Sequence, residues 1–493
     1  MEEQQPSSGG APPSPAPAPK SRRTLWAVLA VIVVVVVVLV AAVLAGLFNP
    51  PPAKVTVLRI GTILSKTGSL SAFGTDNENG TQMAIDEINA AGGVLGNPVV
   101  VTHLDDQTKP DVAASAARTE ISQNNVAAIV GATGSGQCST IVPVAANNSV
   151  VEISASCTSP KFSNQSLTGG WFFRTAPSDA LQGVVAASYA YTNLSQRRAA
   201  VLGINNAYGT GLSTVFANAF THLGGTLTSP PRIVDEIGAG ATDYTTDLVA
   251  LLGTSPAPQF VYVVAYPPDG VKLMEDWNSG LGSHPSWAGI NWTFSEGLYD
   301  SAFINPLVTA GVDVSAFLGT APSAYGGLYG PQYLSWKANY TTKFHVAPTL
   351  FTANAYDAVY LIALAAQKAG DASGSSVKAN LLAVSSAPGT KIYPGGWASA
   401  KTALDAGQDV DYEGASGAVN LNANGDPTSG YVVWNTTSTN GLGIKEIFPE
   451  SLVVSLVSSI GASSVSVQSV PPVIHAPTLI DLLMASDVVL ARF

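Results

Sequence analysis

Through most of the chain, short apolar runs alternate with longer stretches whose apolar positions recur at helical spacing. Residues 55–64 read as a buried strand. A helix over 77–91 sets Met83, Ala84, Ile88 and Ala91 on one face, and Gly92-Gly93 stops it. Residues 99–104 are the second expected strand, and a helix over 110–123 leads to a third at 126–130. A glycine-rich loop and a helix ending at Asn147 precede a fourth strand, 150–154. After Pro177 the rhythm restarts with helix 178–193, strand 199–204, helix 210–223, strand 259–265, a helix to Leu281 and strand 287–290. Such alternation predicts an α/β protein with parallel sheets covered by helices on both faces. Helices over 331–344, 351–369 and 375–384 are too few for a third sheet and are expected to return to the first lobe. The expected division is lobe 1 over 55–177 and 321–428, and lobe 2 over 178–320 with a return strand at 429–449. Two lobes crossed several times by the chain make a cleft with a hinge.

One segment breaks this rhythm. Residues 25–48 carry no charge, and 31–40 are all Val, Ile or Leu. Twenty-four residues rise about 36 Å as a helix, enough for a hydrocarbon core of about 30 Å. Lys20, Arg22 and Arg23 precede the run. The expectation is one transmembrane helix over 24–48, with the N-terminus cytoplasmic and the rest extracellular. A cleaved signal peptide is the competing reading, and Ala41, Ala42 and Ala45 would permit cutting. The apolar run exceeds the about 7–15 residues of a signal core, which favours an anchor. No Cys ends the span, which removes the bacterial lipoprotein route. Residues 1–23 are rich in Pro, Ser and Gln and are expected as a disordered cytoplasmic tail. A Pro-rich linker is expected over 49–54.

Composition narrows the function classes. With 46% hydrophobic residues in 493, a sizeable core can form. Only 11% are charged, against about 25% in ordinary soluble domains. The 22 basic against 33 acidic residues give a formal charge of -11, so no basic field exists to gather nucleic acid. Two cysteines exclude a disulfide scaffold and a four-thiolate zinc site. Five scattered histidines without a His-Glu-x-x-His spacing leave no hydrolytic metal centre, and no cofactor is expected. Seven Asn-x-Ser/Thr sequons, one of them at Asn291, fit an exposed surface.

Candidate ligand chemistry sits at strand ends. Gly131-Ala132-Thr133-Gly134-Ser135-Gly136 leaves a strand and opens a helix, where backbone N–H groups favour an anion. Ser135 adds a hydroxyl. Ser154 through Thr158, with Ser156 and Cys157, closes the next strand at the same sheet edge, where open parallel sheets bind ligands. The order Gly-x-x-Gly-x-Gly after a third strand does not fit a dinucleotide fingerprint. On this segment alone a tight turn and a ligand loop stand even. Cys138 and Cys157 fall at these two loops, outside a reducing cytoplasm, and a disulfide between them is favoured. A catalytic thiol is the weaker idea and buried free cysteines stay open. Phe73, Tyr208, Tyr266 and Phe351 each fall in a loop or at a helix entrance, though most aromatics are core.

The collinear order of these motifs resembles the type I periplasmic-binding fold, specifically the leucine/isoleucine/valine-binding proteins of ABC importers. The matching stretches are Ile60-Gly61, Thr67-Gly68, Phe73-Gly74, Gly80 through Gly93, Asp105-Asp106, Gly134-Ser135 and Ile153 through Pro160. Phe173-Arg174-Thr175-Ala176-Pro177-Ser178-Asp179 with Gln182-Gly183 is the most specific piece. Tyr208 through Gly211, Ala355 through Ala358, Tyr412 through Gly417 and Asn424-Gly425-Asp426 complete the series.

The resemblance implies how an amino acid would be held. Ser135 and the Thr158 N–H take its carboxylate, with Gly134 and Gly136 of the glycine loop letting the backbone approach closely. The Thr158 hydroxyl, with a carbonyl near Ser156 or Cys157, takes its ammonium. Phe73 closes over the side chain from lobe 1, Tyr208 and Tyr266 arrive from lobe 2, and Phe351 stands where the family places another aromatic. The family's second-lobe acid aligns with Asn291, and Glu296 lies five residues off. An ammonium shut in without its acid costs several kcal/mol, which widens the ligand to an amide, a peptide-like or carboxylate compound, or an amino acid paired differently. A glycan at Asn291 would obstruct cleft closure.

The expected function is a membrane-anchored solute-binding protein delivering a small polar ligand to an ABC permease. A receptor ectodomain on the same fold, signalling through a partner, is the alternative. No Gly-x-Ser-x-Gly elbow supports an enzyme. Residues 450–493 exceed the family's usual end, with strand-like content over 451–470 and a short amphipathic helix over 478–490.

Overall fold

The computed structural model describes residues 22–44, 53–323 and 330–460. Residues 1–21 of the tail expected over 1–23, the end of the expected span and most of the linker (45–52), and residues 461–493 lie outside the described residues, while Arg22 and Arg23 are helical rather than tail. The chain forms two compact units, residues 1–53 and 54–493. In the first, helix α1 spans Arg22–Leu44. Its side chains over residues 26–41 are exposed. Among the described residues, no helix is long and apolar enough to cross a membrane.

The second unit opens with β1 (Arg59–Leu64), α2 (Ser71–Ala90), β2 (Val100–Asp105), α3 (Pro110–Ser122), β3 (Ala128–Gly131) and α4 (Ser135–Asn147). Then come β4 (Val151–Ser154), a short α5 (Gln165–Thr168) and β5 (Phe172–Arg174). These strands form one five-stranded, wholly parallel sheet in the order β2-β1-β3-β4-β5. The order reverses between β1 and β3, the topology that opens a crevice at the strands' carboxyl ends. β3 and β4 are buried along their whole length, which is why they read as unbroken apolar runs.

A second sheet is built from β6 (Arg198–Ile204), β7 (Thr226–Leu227), β8 (Arg232–Val234), β9 (Phe260–Val264), β10 (Asn291–Phe294) and β11 (Leu318–Pro322). Its helices are α6 (Asp179–Ser188), α7 (Ala207–His222), α8 (Thr245–Leu252), α9 (Pro267–Gly280) and α10 (Ser301–Thr309). The chain then returns to the first sheet through α11 (Pro331–Phe344), α12 (Thr352–Ala369), α13 (Gly374–Val384) and α14 (Trp397–Asp405), with a two-stranded ribbon of β12 (Thr390–Ile392) and β13 (Val410–Tyr412). The long α12 is buried almost all round, between α2 and α13. Finally β14 (Tyr431–Thr436) and β15 (Leu442–Phe448) rejoin the second sheet, and α15 (Glu450–Ile460) packs on α6.

Three expectations are corrected. The second sheet is mixed, not parallel throughout: β14 pairs antiparallel with β11, and β15 antiparallel with β14. A hairpin, rather than one return strand, forms that edge. The strand expected at 287–290 lies at Asn291–Phe294 instead. Pro285 opens a 3₁₀ turn over Pro285–Gly289, and Trp287 stacks on His284 at 4.3 Å instead of joining the sheet. The start of the C-terminal extension, expected to be strand-like, is helical because Val453, Val457 and Ile460 recur on one buried face.

Candidate functional site

The strand ends of the two sheets converge on one void. From the first sheet, the loop after β3 carries Thr133 and Gly134, and Ser135 begins α4. The loop after β4, its neighbour, carries Ser156 and Thr158. Hydrogen bonds lock these loops together: Ser154 Oγ donates to Ala132 O at 2.8 Å and Ser156 Oγ to Thr133 O at 2.8 Å. The Ser159 N–H donates to Ser135 Oγ at 3.2 Å, which leaves the Ser135 proton free to donate elsewhere. A disulfide joins Cys138 to Cys157 across the same loops.

The second sheet contributes the ends of three neighbouring strands. After β6, Asn206 caps α7, its Oδ1 accepting from the Tyr208 and Gly209 N–H groups at 2.9 Å each, and so places Tyr208 in the first helical turn. After β9, Tyr266 precedes α9. The two tyrosine rings stack with centroids 5.5 Å apart. After β10 come Ser295, Glu296 and Gly297. The Tyr208 hydroxyl donates to Ser295 Oγ at 2.8 Å.

Leu70, Phe73, Leu350 and Phe351 close the lobe 1 side, and the void among all these residues is about 30 Å³. That is room for about two waters. The four side chains share one apolar core with the second sheet, so the lobes are shut upon each other. Phe351 adopts a left-handed backbone, φ 68°, at the entrance to α12, a conformation that costs a bulky residue energy and tends to mark functional positions. Gly134 is required by space: a Cβ there would meet Gln137 Oε1 at 2.3 Å and the Tyr266 hydroxyl at 3.1 Å.

Glu296 is the one carboxylate on the wall of the void. Gln182 Nε2 donates to its Oε2 at 2.5 Å. Burial lifts the Glu296 carboxyl to about 7. Asp179, at the start of α6, is raised well above its usual range by burial and by Glu296, with the Thr158 hydroxyl and Arg174 offsetting part of this. Behind the loops the buried Arg174 donates from Nε to Asp426 at 2.6 Å and from Nη1 to the Cys157 and Ser159 carbonyls at 3.0 Å each.

Of the residues singled out in the sequence, Phe73, Gly134, Ser135, Ser156, Thr158, Tyr208, Tyr266 and Phe351 line the void. Gly136 does not; it faces Asn206 and Pro110. Cys157 also stands back, in the disulfide, and its carbonyl is taken by Arg174, so it is not free for an ammonium. Asn291 is a correction. It is the exposed first residue of β10, paired with Phe260 at the amino end of β9, whereas the site lies at the carboxyl ends. A glycan at Asn291 would therefore not meet the cleft. Glu296, five residues further along and just past the carboxyl end of β10, lines the void instead. Leu70, Thr133, Gly297 and Leu350 were missed; Ser295-Glu296-Gly297 after an apolar run was the legible signal.

Among the described residues no group of three or more His, Cys, Asp and Glu could hold a metal ion. Residues 57–419 match the family described as periplasmic binding protein. The chain is 29% identical over 398 residues to the chemotactic signal transduction system substrate-binding protein BasB of Halobacterium salinarum, covering 78% of this chain and 87% of that one. It is 29% identical over 326 residues to the Leu/Ile/Val-binding protein BraC3 of Rhizobium johnstonii, covering 66% of this chain and 83% of that one. Among solved structures, the leucine-binding protein LivK of Thermotoga maritima superposes with a TM-score of 0.66 at 24% identity, covering 80% of this chain and 99% of that one.

Proposed function

The chain belongs to the periplasmic binding proteins, as a solute-binding protein of the Leu/Ile/Val-binding type, and from that premise we propose that it captures a small apolar amino acid by lobe closure and presents it to an ABC permease. The observation that carries this reading is Glu296, a buried carboxylate facing Ser135 and Thr158 across one void. In this reading Glu296 pairs with the ammonium, with the Thr158 hydroxyl beside it. The Ser135 hydroxyl and the N–H groups at the start of α4 take the carboxylate. Leu70, Phe73, Leu350 and Phe351 enclose an apolar side chain, and stacked Tyr208 and Tyr266 form the facing wall. With Glu296 present, an amino acid replaces the wider range of amides and carboxylates.

A void of about 30 Å³ is too small for such a ligand in the closed form, so entry requires the lobes to part about their three crossings. Ligand contact with both lobes then stabilises closure, and the closed outline is what a permease reads. The apolar run over 24–48 anchors the protein to the membrane in this proposal, with the binding unit outside. A sensory role is the second reading, favoured by the likeness to the chemotactic substrate-binding protein; there the closed form would be read by a partner. A non-enzymatic role agrees with relatives that are binding proteins.

Thermal-shift screening against amino acids, amides and small carboxylates tests the ligand class. A true ligand at a hundredfold excess over its dissociation constant adds about 2.7 kcal/mol of stability. Branched-chain amino acids should shift the melting temperature and their amine-free analogues should not. The reverse order would remove the role given to Glu296.

A further inference from the structure

A second cavity, of about 290 Å³, lies within the first lobe and shares none of its described lining residues with the cleft void. The second half of α2, one face of α11 and the loop after β12 build it. It stands well away from the cleft: Phe73 at the void and Glu87 here are 14 residues apart on α2, about 21 Å of helix.

Among the described residues of this lining, Glu87 is the one charged side chain. Its Oε2 accepts from the hydroxyls of Tyr356 and Tyr360, and the Tyr356 hydroxyl accepts in turn from the Gly395 N–H at 2.9 Å. Gly395 itself lines the cavity, so this chain of bonds holds the carboxyl group at the wall from behind. The other oxygen, Oε1, has no partner among the described residues and is not buried. On α11, Gln332, Ser335 and Asn339 recur at intervals of three and four and so share one helical face. None of these three side chains makes a hydrogen bond among the described residues. Tyr393, 40% exposed, adds an aromatic ring. Unspent acceptors around one acid, with no cation in the lining, disfavour an anion and suit a cation with several donors. A guanidinium brings five N–H groups in a plane, stacks on aromatic rings and sheds water more readily than an ammonium does. The volume is near the lower end of small-molecule sites, about 300 Å³.

We propose that this cavity is a second small-molecule site, for an alkylguanidinium cation, with Glu87 Oε1 as its counter-charge and the side-chain oxygens of Gln332, Ser335 and Asn339 as further acceptors. Tyr393 would stack on the guanidinium plane. The lining comes from one lobe alone, so occupancy here does not depend on closure of the cleft.

Saturation-transfer NMR on the full chain tests the site, with N-butylguanidinium as probe and N-butylurea as its neutral match in shape. The expected result is a guanidinium signal at least threefold that of the urea. It should vanish in Glu87→Gln, which removes the charge and keeps an oxygen for Tyr356 and Tyr360. It should also vanish in Ser335→Trp, which fills the cavity from the exposed helix and serves should the first variant fail to fold. It should persist in Glu296→Gln, which alters only the cleft. No guanidinium signal, an equal signal from the urea, or a signal indifferent to both lobe 1 variants would each overturn the site. Loss in Glu296→Gln would place the cation in the cleft and overturn it too. None of these outcomes depends on whether leucine binds, so the cleft reading stands or falls separately.

Discussion

Gln182 Nε2 donates to Glu296 Oε2 at 2.5 Å, and the same nitrogen donates to Thr320 O at 3.2 Å. A helix that begins at the first crossing thereby fixes the acid that faces the cleft. Glu296 is thus oriented before any ligand arrives, and the orienting group sits in the sequence 114 residues away.

Glu296→Gln should weaken leucine binding about ten- to a hundredfold, the about 1.5–3 kcal/mol of a hydrogen bond to a charged group. The unliganded melting temperature should hold or rise, because one of two repelling buried carboxyls is gone. Calorimetric titration checks the first and a thermal melt the second. An unchanged affinity would remove the acid from recognition.

Stability should fall as pH rises from about 4.5 to about 7. Burial raises Glu296 and Glu236 from 4.5 to about 7, and Asp106 and Asp357 from 3.8 to about 6. In that window the native state keeps protons that the unfolded chain has lost, so unfolding releases protons and becomes easier as pH climbs. Urea midpoints at pH 5 and pH 7 check this for the unliganded protein, and a higher midpoint at pH 7 would contradict it. Leucine affinity should run the other way, weakening as pH drops below about 7, because the ammonium pairs with ionised Glu296.

Arg174→Leu should cost about 3–5 kcal/mol, the usual result of leaving one partner of a buried ion pair uncompensated. Asp426→Asn should destabilise through the same pair, and the double variant should lose less than the sum. Urea denaturation measures all three.

Replacing both Cys138 and Cys157 by Ser should lower stability by about 3 kcal/mol, given their separation of 19 residues. It should also weaken ligand binding, since both loops that the bond joins carry site residues. Equal affinity in the two proteins would separate the disulfide from the site.

The alternation of strands and helices was readable because buried parallel strands are unbroken apolar runs and their helices keep a 3.6-residue period. Where a local signal was ambiguous, reading slipped: Trp287 looked like strand, but Pro285 turns the chain and the ladder with β9 starts only at Asn291. With that register Asn291 opens the strand, and Glu296, five residues on, stands past its carboxyl end. The helix at Glu450–Ile460 was missed because Val and Ser suit a strand as well, and its packing on α6 decides the matter.

By itself, the sequence determined the class of fold, the two loops that face the cleft from the first sheet and the aromatics that meet them, since each follows from short-range pattern and strand-end position. Only tertiary structure decided that Glu296 and not Asn291 faces the void, that the Cys157 carbonyl is spent on Arg174, and that Leu70 and Leu350 join the wall. Those outcomes depend on sheet register and on tertiary contacts, from Cys157 with Arg174 17 residues on to walls built from distant segments, which hydrophobic period cannot encode.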